Sequence, residues 1–439
     1  MTSVRTTATL TGAALRIGAD LLLCRLVKRR RGGFAARTGR SLRRAAVRCG
    51  PAFVKTAQLL STRVDLLPAA VCAELGTLHD HVPPIPQSKV LPLLDERLGV
   101  PTSSVFATFD TRAIGSGSIA CVYRAELLNG AQVAVKLRRP GVRRRLERDL
   151  RLIQYFTRWA ARMPAFKGIP AVDIVGRISA EISAQADFAR EAASSVELAA
   201  NLAGVPDVVI ARPVAAGGGK DATSTDSAAL GVLPERGVLI LEYLPGVGRV
   251  KPSELPPEIA ARAATTALRA VYSMIFVDGF VHCDLHPGNL YFSSDGAIAM
   301  VDAGFVHRMS DQARRTFAEF FFRMGTGNER LCADILLTTV EVPDSTDVDS
   351  FRADIASLVR ANVGLRSRDF SLLDFAQGLF DIQRRHGLFA DPEFVFPLLA
   401  LLTLETAVKT ACPEADFQQE AMPFLVNVLF GRDRVPVAT

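Results

Sequence analysis

The sequence predicts an α+β fold of two lobes behind a helical N-terminal extension, and three observations carry that expectation. The chain has 439 residues, more than the roughly 50–250 that one hydrophobic core serves. From Ala107 to Gly141 β-branched residues alternate around Gly-Ser and Asn-Gly turns, the pattern of hairpins. Helix formers dominate before and after that stretch. With 49% apolar and 22% charged residues, the composition excludes disorder over most of the length.

Residues 1–34 read as a basic amphipathic arm. Leu10 to Val27 is apolar but interrupted by Arg16 and Asp20, and no A-x-A-like cleavage site follows. A bilayer span needs roughly 20 predominantly apolar residues, so a surface-lying helix is expected instead. Twelve Lys or Arg and no Asp or Glu lie between Leu21 and Val64, which leaves −5 for the rest of a chain whose net charge is +7. Two readings of this local charge stand side by side, a solvated helix face and a contact with an anionic membrane. Nucleic acid is not expected, because only Phe34 and Phe53 interleave the basic residues as stacking platforms.

Residues 35–104 form the helical extension. Ala35 to Leu67 reads as one helical stretch stopped by Pro68, "HVPPIP" as a rigid connector, and Ser88 to Leu98 as a further helix. Residues 105–245 form the smaller lobe. It holds the hairpin with its glycine-rich tip, the strand "VAVKL", helices over Arg143 to Ala161 and Val172 to Leu202, and strands in "DVVIARPV" and "GVLILEYL". The Gly/Ser/Thr/Asp-rich connector 215–232 reads as a mobile loop. Residues 246–439 are mainly helical. Pro397 and Glu405 break the apolar run "FVFPLLALLTLETAV", so no transmembrane helix is expected. Seven scattered cysteines without a C-x-x-C pair fit a reducing, cytoplasmic setting, with peripheral membrane contact through the arm.

The chemistry concentrates in "GFVHCDLHPGNLYF", Gly279 to Phe292. His282, Asp284 and His286 alternate, so on a strand they would share a face and could hold zinc or iron, but Pro287 and Gly288 break such a strand. Cys283 as a nucleophile has nothing to activate it. The third reading is phosphoryl transfer, which needs an Asp to orient the attacking hydroxyl and an Asn five residues on to reach magnesium. Asp284 and Asn289 stand at that spacing after His282. Asp302, at the end of "AIAMVD" and before Gly304, supplies a second magnesium ligand. Lys136 in "VAVK" suits the α/β-phosphates, and Glu191 in "DFAREA" is the carboxylate to pair with it. Gly115, Ser116, Gly117 and Ser118 offer backbone N–H groups to phosphate. The strand end "LEYLPG", with Glu242 and Leu244, would meet adenine. Singly each has a structural explanation, but five elements in the right order favour ATP with Mg2+.

Four further stretches stand out: "VKTAQLLSTRVDLLP", "AIGSGSIACVYRA", "RRPGVRRRLERDL" and "TLETAVKTACPEADF". Through them the chain, from about Arg48 to Pro413, resembles the UbiB (AarF) family of atypical kinases, the first being similar to that family's K-x-G-Q motif. It implies a protein-kinase-like two-lobed fold that binds ATP and magnesium, with the Lys55/Gln58 helix as a lid over the site. It further implies an ATP-dependent phosphotransferase or ATPase serving lipid, isoprenoid-quinone or other small-molecule metabolism at a membrane. Alternatives are a small-molecule or protein kinase of a specialised pathway and a nucleotide-binding scaffold that organises membrane enzymes.

Several positions depart from the family pattern. Ala57 replaces the glycine of K-x-G-Q. Gln185 replaces the glutamate of E-x-D and leaves Asp187 alone, which predicts a looser lid. Gly115, Ser116 and Gly117 stand in place of alanines and should reach positive φ more readily. Ala303 replaces the phenylalanine of D-F-G, and Cys283 the arginine that grips a phosphorylated loop, so control by phosphorylation between Phe305 and Phe317 is not expected.

Overall fold

The computed structural model describes residues 31–49, 51–62, 67–78, 83–162, 171–214, 232–233, 236–246, 254–286, 288–363 and 369–431. The apolar stretch Leu10 to Val27, the basic residues before Arg31 and nearly all of the 215–232 connector lie outside them. The chain divides into two compact units. One contains the described residues of Met1–Thr102, Phe109–Arg124 and Lys136–Asp187, the other those of Ser103–Thr108, Ala125–Val135 and Phe188–Thr439.

In the first unit, helices α1 (Arg31–Cys49), α2 (Pro51–Thr62) and α3 (Ala69–Gly76) pack around Ala46, Phe53, Ala57, Val71, Leu75 and Leu78. The single helix expected from Ala35 to Leu67 is therefore two. Pro51 cannot sit inside a helix, where its ring would clash and its missing N–H would break the ladder, but it suits a first turn. Gly39 is where α1 meets α3, since a Cβ there would come within 2.8 Å of the Glu74 Cβ. The Arg40 Nη1 to Glu74 Oε1 pair (3.0 Å) joins the same two helices, so part of the basic stretch is occupied within the fold. Phe53 is buried and offers no stacking face.

After α4 (Gln87–Leu98) come the strands β1 (Phe106–Ser116), β2 (Ala120–Leu127) and β3 (Gln132–Arg138). With β5 (Val232–Leu233) and β6 (Val238–Glu242) they form a five-stranded sheet in the order β1-β2-β3-β6-β5. Residue 232, expected in the connector, is thus strand. Helices α5 (Val142–Ala160) and α6 (Ala171–Ala184) pack through Leu146, Leu150, Ile178 and Ile182. The long helix expected over Val172 to Leu202 stops at Ala184 and resumes as α7 (Phe188–Asn201). Arg138, buried, donates through Nη1 to the Ala186 carbonyl at 2.9 Å, and that tertiary bond holds the turn.

In the second unit, α8 (Pro257–Tyr272) runs through a π-helical turn at Ser273–Asp278 into the short strands of the site. Helices α9 (Asp311–Gly325), α10 (Glu329–Thr338), α11 (Val348–Asn362), α12 (Leu372–Arg385), α13 (Pro392–Ala411) and α14 (Phe417–Phe430) follow. Phe317 and Phe320 stack edge-on against Phe394, with centroids 4.9 and 5.6 Å apart. Among the described residues α13 is the one helix long and apolar enough to cross a membrane, with a mean hydropathy of 1.5 over its best window, of which 71% is buried. Glu405 marks it as a core helix. Its carboxylate accepts the Leu372 and Leu373 amides at 2.8 and 2.9 Å and caps α12, satisfying donors that a helix start otherwise leaves open.

Candidate active site

In the second unit two short ladders frame the chemistry. Strand β7 (Phe280–His282) pairs antiparallel with β10 (Val306–Arg308), placing His282 opposite Val306. Strand β8 (Leu290–Phe292) pairs with β9 (Ile298–Met300), which also pairs parallel with β4 (Val208–Ile210). Residues 283–286 with 288–289, and 301–305, are the segments that these ladders bring side by side. Three bonds tie them. The Val301 amide donates to the Asn289 carbonyl (2.9 Å), the Cys283 amide to the Phe305 carbonyl (3.0 Å), and His282 Nε2 lies 3.3 Å from the Val301 carbonyl.

The histidines hold the loop. The Asp284 amide donates to His282 Nδ1 at 3.2 Å, so Nδ1 is the bare nitrogen and Nε2 carries the proton toward Val301. Burial lowers the His282 pKa, against the opposing pull of the Asp284 carboxylate, and the ring is neutral at physiological pH. The Gly288 amide caps His286 Nδ1 at 2.9 Å. Both rings are thus engaged with backbone, and among the described residues no group of three His, Cys, Asp or Glu could hold a metal ion. Cys283 is buried, with Sγ 3.4 Å from the Val281 carbonyl, a packed thiol rather than a presented nucleophile.

Asp284 is accessible, its side chain 27% exposed. Asn289 Nδ2 donates to the Asp284 carbonyl at 2.9 Å. That bond leaves Oδ1 as the acceptor, the atom a hard cation prefers. Asp302 is exposed and adopts φ +59°, the left-handed region that non-glycine residues rarely occupy. The Tyr291 pKa is raised by burial and by the Asp302 charge, while its hydroxyl donates to the Gly288 carbonyl at 2.7 Å. Magnesium is characteristically held by one or two protein oxygens, with phosphate and water completing the shell. An Asn oxygen and an exposed carboxylate on adjoining loops fit such an ion.

Glu242 ends β6, and its carboxylate is engaged by Arg212, with Nη2 to Oε1 at 3.0 Å. Its amide donates to the Arg212 carbonyl at 2.8 Å. A ligand at this strand end would therefore meet the Glu242 carbonyl and the backbone near Leu244. Glu191 is buried in the first turn of α7.

The first unit holds the remaining residues. Lys136 is buried in β3, and Lys55 and Gln58 lie in α2. Gly115 and Ser116 end β1, and Ser118 is buried. Neither Gly115 nor Gly117 adopts positive φ, and a Cβ on either would find only ordinary contacts, 3.6 Å to Val122 Cβ and 3.7 Å to the Ala120 carbonyl. This corrects the expectation for the loop, because its conformation is one alanine also adopts. Gln185 has a buried Nε2 with no hydrogen-bond partner among the described residues. Tyr291 carries no signal of this role in the sequence, because it acts on the Gly288 backbone carbonyl and such partners leave no spacing pattern.

The profile of the ABC1 atypical kinase-like domain matches residues 77–215 and 232–336. A curated relative from Azotobacter vinelandii, named "Probable protein kinase UbiB", is 29% identical over 398 residues, covering 88% of this chain and 70% of its own. A relative of the same name from Pseudomonas putida GB-1 is 30% identical over 414 residues, with 90% and 71% covered. Among solved structures, the Rv3197–erythromycin complex from Mycobacterium tuberculosis aligns over 97% of this chain and 99% of its own, with a TM-score of 0.54. At 19% identity that likeness speaks for the fold alone.

Proposed function

The chain belongs to the ABC1 atypical kinase-like family, with UbiB-type kinases as its relatives, and on that premise we propose that it binds ATP with magnesium. We propose further that it transfers or hydrolyses the γ-phosphate in connection with a lipid, isoprenoid-quinone or other small molecule. The observation that carries this reading is the bonding of Asn289, whose amide nitrogen holds Asp284 and whose carbonyl holds Val301, next to Asp302. One residue thereby sets the positions of the two loops that phosphoryl transfer requires.

In this reading Asp284 orients the attacking hydroxyl or water and accepts its proton. Asn289 and Asp302 hold the magnesium, which when bound neutralises charge on the phosphate oxygens. Lys136, with Glu191, clamps the phosphates, the Gly115–Ser118 backbone cradles them, and Lys55 with Gln58 forms the lid. The contact with an anionic membrane is also proposed. Its support is the first unit's composition, 30 Lys and Arg against 12 Asp and Glu.

The test is magnesium-dependent ATP turnover by the full chain, with and without anionic liposomes and candidate phenolic or isoprenoid compounds. Turnover that needs magnesium and disappears in Asp302→Asn is expected. Absence of both ATP binding and turnover under every condition overturns the reading. Function that survives Asp302→Asn would point to a nucleotide-binding scaffold.

A further inference from the structure

We propose that Arg139 is a positioning residue that latches the glycine-rich loop to the connector of the helical extension. Its guanidinium serves three oxygens. Nε donates to the Gly117 carbonyl at 2.8 Å, and Nη2 donates to Ser116 Oγ at 2.8 Å and to the Pro83 carbonyl at 2.9 Å. The Arg139 amide adds a fourth tie, to the Ile119 carbonyl at 2.9 Å. All of these residues belong to the first unit.

Arg139 follows β3, three residues after Lys136. The group that fixes the phosphate loop therefore stands directly after the strand that carries the phosphate lysine, and that strand sets the position of both. A guanidinium suits the task because its planar fork directs several donors at once and never loses its charge. Lysine, with one nitrogen on a flexible stem, cannot reproduce the geometry.

The composition of the loop explains why a latch is needed. Residues 115–118 are Gly-Ser-Gly-Ser, and glycine loses more backbone freedom on ordering than any other residue. The loop nevertheless sits in a conformation that alanine would also adopt. Charge-assisted bonds from Arg139 hold it there in place of the stiffness that side chains would give. The third bond, to Pro83, reaches the segment leading out of the extension. The loop and the extension connector are thereby held by the same cation, and nucleotide binding at the loop is felt at the connector.

This inference rests on the reading of Gly115–Ser118 as the phosphate loop, and its test separates the two. Amide hydrogen exchange of the nucleotide-free full chain is measured for peptides covering 83–86 and 115–120, in wild type and in Arg139→Ala, Arg139→Lys and Ser116→Ala. Faster exchange in both peptides of Arg139→Ala, only partly restored in Arg139→Lys, is expected. In Ser116→Ala only the loop peptide should change. Magnesium-ATP affinity should fall about 10-fold in Arg139→Ala while adenosine affinity stays within about 2-fold, because the lost bonds order the phosphate loop alone.

If Arg139→Ala does not fold, Arg139→Lys and Ser116→Ala carry the same comparison. Unchanged exchange in both peptides of a folded Arg139 variant overturns the latch. So does a fall in melting temperature with exchange and the ATP-to-adenosine ratio unaltered. If wild type binds no ATP while both peptides loosen in Arg139→Ala, the latch stands and the phosphate-loop reading falls.

Discussion

Asp302 combines backbone strain with its proposed role as a magnesium ligand. A non-glycine residue at φ +59° costs roughly 1–2 kcal/mol in backbone conformation, and aspartate and asparagine tolerate that region better than most. Asp302→Asn should therefore keep its melting temperature within about 2 °C while magnesium-ATP turnover falls by more than about 100-fold, the loss expected when a group stabilising developing charge is removed. Asp302→Gly should be equally inactive yet more stable, which thermal unfolding checks. His282 makes a prediction about acid. Burial lowers its pKa, and burial lowers that of His307 as well, so the unfolded chain binds more protons than the folded one below the ordinary imidazole pKa. Stability is then fully present above about pH 6.5 and declines as the pH falls toward the lowered folded values. Chemical denaturation between pH 7.5 and 5 should show that decline, and a His282→Gln variant that still folds should show a shallower one.

At the scale of elements, loop and cap positions separate stability from activity. Since Gly117 has an alanine-compatible conformation and room for a Cβ, Gly117→Ala should stabilise the protein by about 0.4–1 kcal/mol by restricting the unfolded chain. Ser310 accepts the Ala313 amide as N-cap of α9 and donates to Glu393 Oε2 at 2.6 Å. Already committed to a cap and facing a carboxylate, it is a poor place for a phosphate. Ser310→Ala should cost about 1 kcal/mol of stability and leave ATP turnover unchanged, and a turnover that requires phosphate there would refute this. Phe305 explains how the segment stays ordered without a phenylalanine at 303. Its ring meets Phe396 edge-on at 5.5 Å, and Arg308 forks onto Glu197 with Nη2 to Oε1 at 2.6 Å. In α13, Glu405→Ala removes the acceptor of the buried Leu372 amide and of the Leu373 amide beside it and should destabilise by about 1–3 kcal/mol, measurable by denaturant unfolding.

Across the whole molecule, charge is divided as unevenly as structure. The first unit has 30 Lys and Arg against 12 Asp and Glu, and the second 22 against 33. Helix α5 concentrates the excess, with Arg144, Arg148 and Arg151 exposed along one face and Tyr155 and Trp159 following at 65% and 54% exposure. Aromatic rings beside arginines suit the interface of an anionic bilayer, where each basic residue contributes about 1 kcal/mol. Arg144→Glu with Arg151→Glu should weaken co-sedimentation with phosphatidylglycerol vesicles by more than about 10-fold at low salt. Binding unaffected by these changes and by salt would remove α5 from the proposed contact.

What the sequence determined by itself was what is written at short range. The residues of the proposed site, Asp284, Asn289 and Asp302, stood out because phosphoryl transfer would demand those residue types on neighbouring loops, and the spacing within one loop is a property of the chain. The hairpin was legible from its turn residues, and most helices from their composition and their prolines. Only the tertiary structure decided that the stretch from Val172 to Leu202 is broken in two, where Arg138 bonds a turn 48 residues away, whereas the break before Pro51 is written in the chain itself. Folding likewise decided that the loop glycines adopt no special φ, that Glu405 caps a neighbouring helix, and that Arg139 joins strand, loop and connector. Each of these is a hydrogen bond or packing contact between residues distant in the chain, made mostly to backbone atoms that every residue possesses, and so it leaves no mark in the order of side chains.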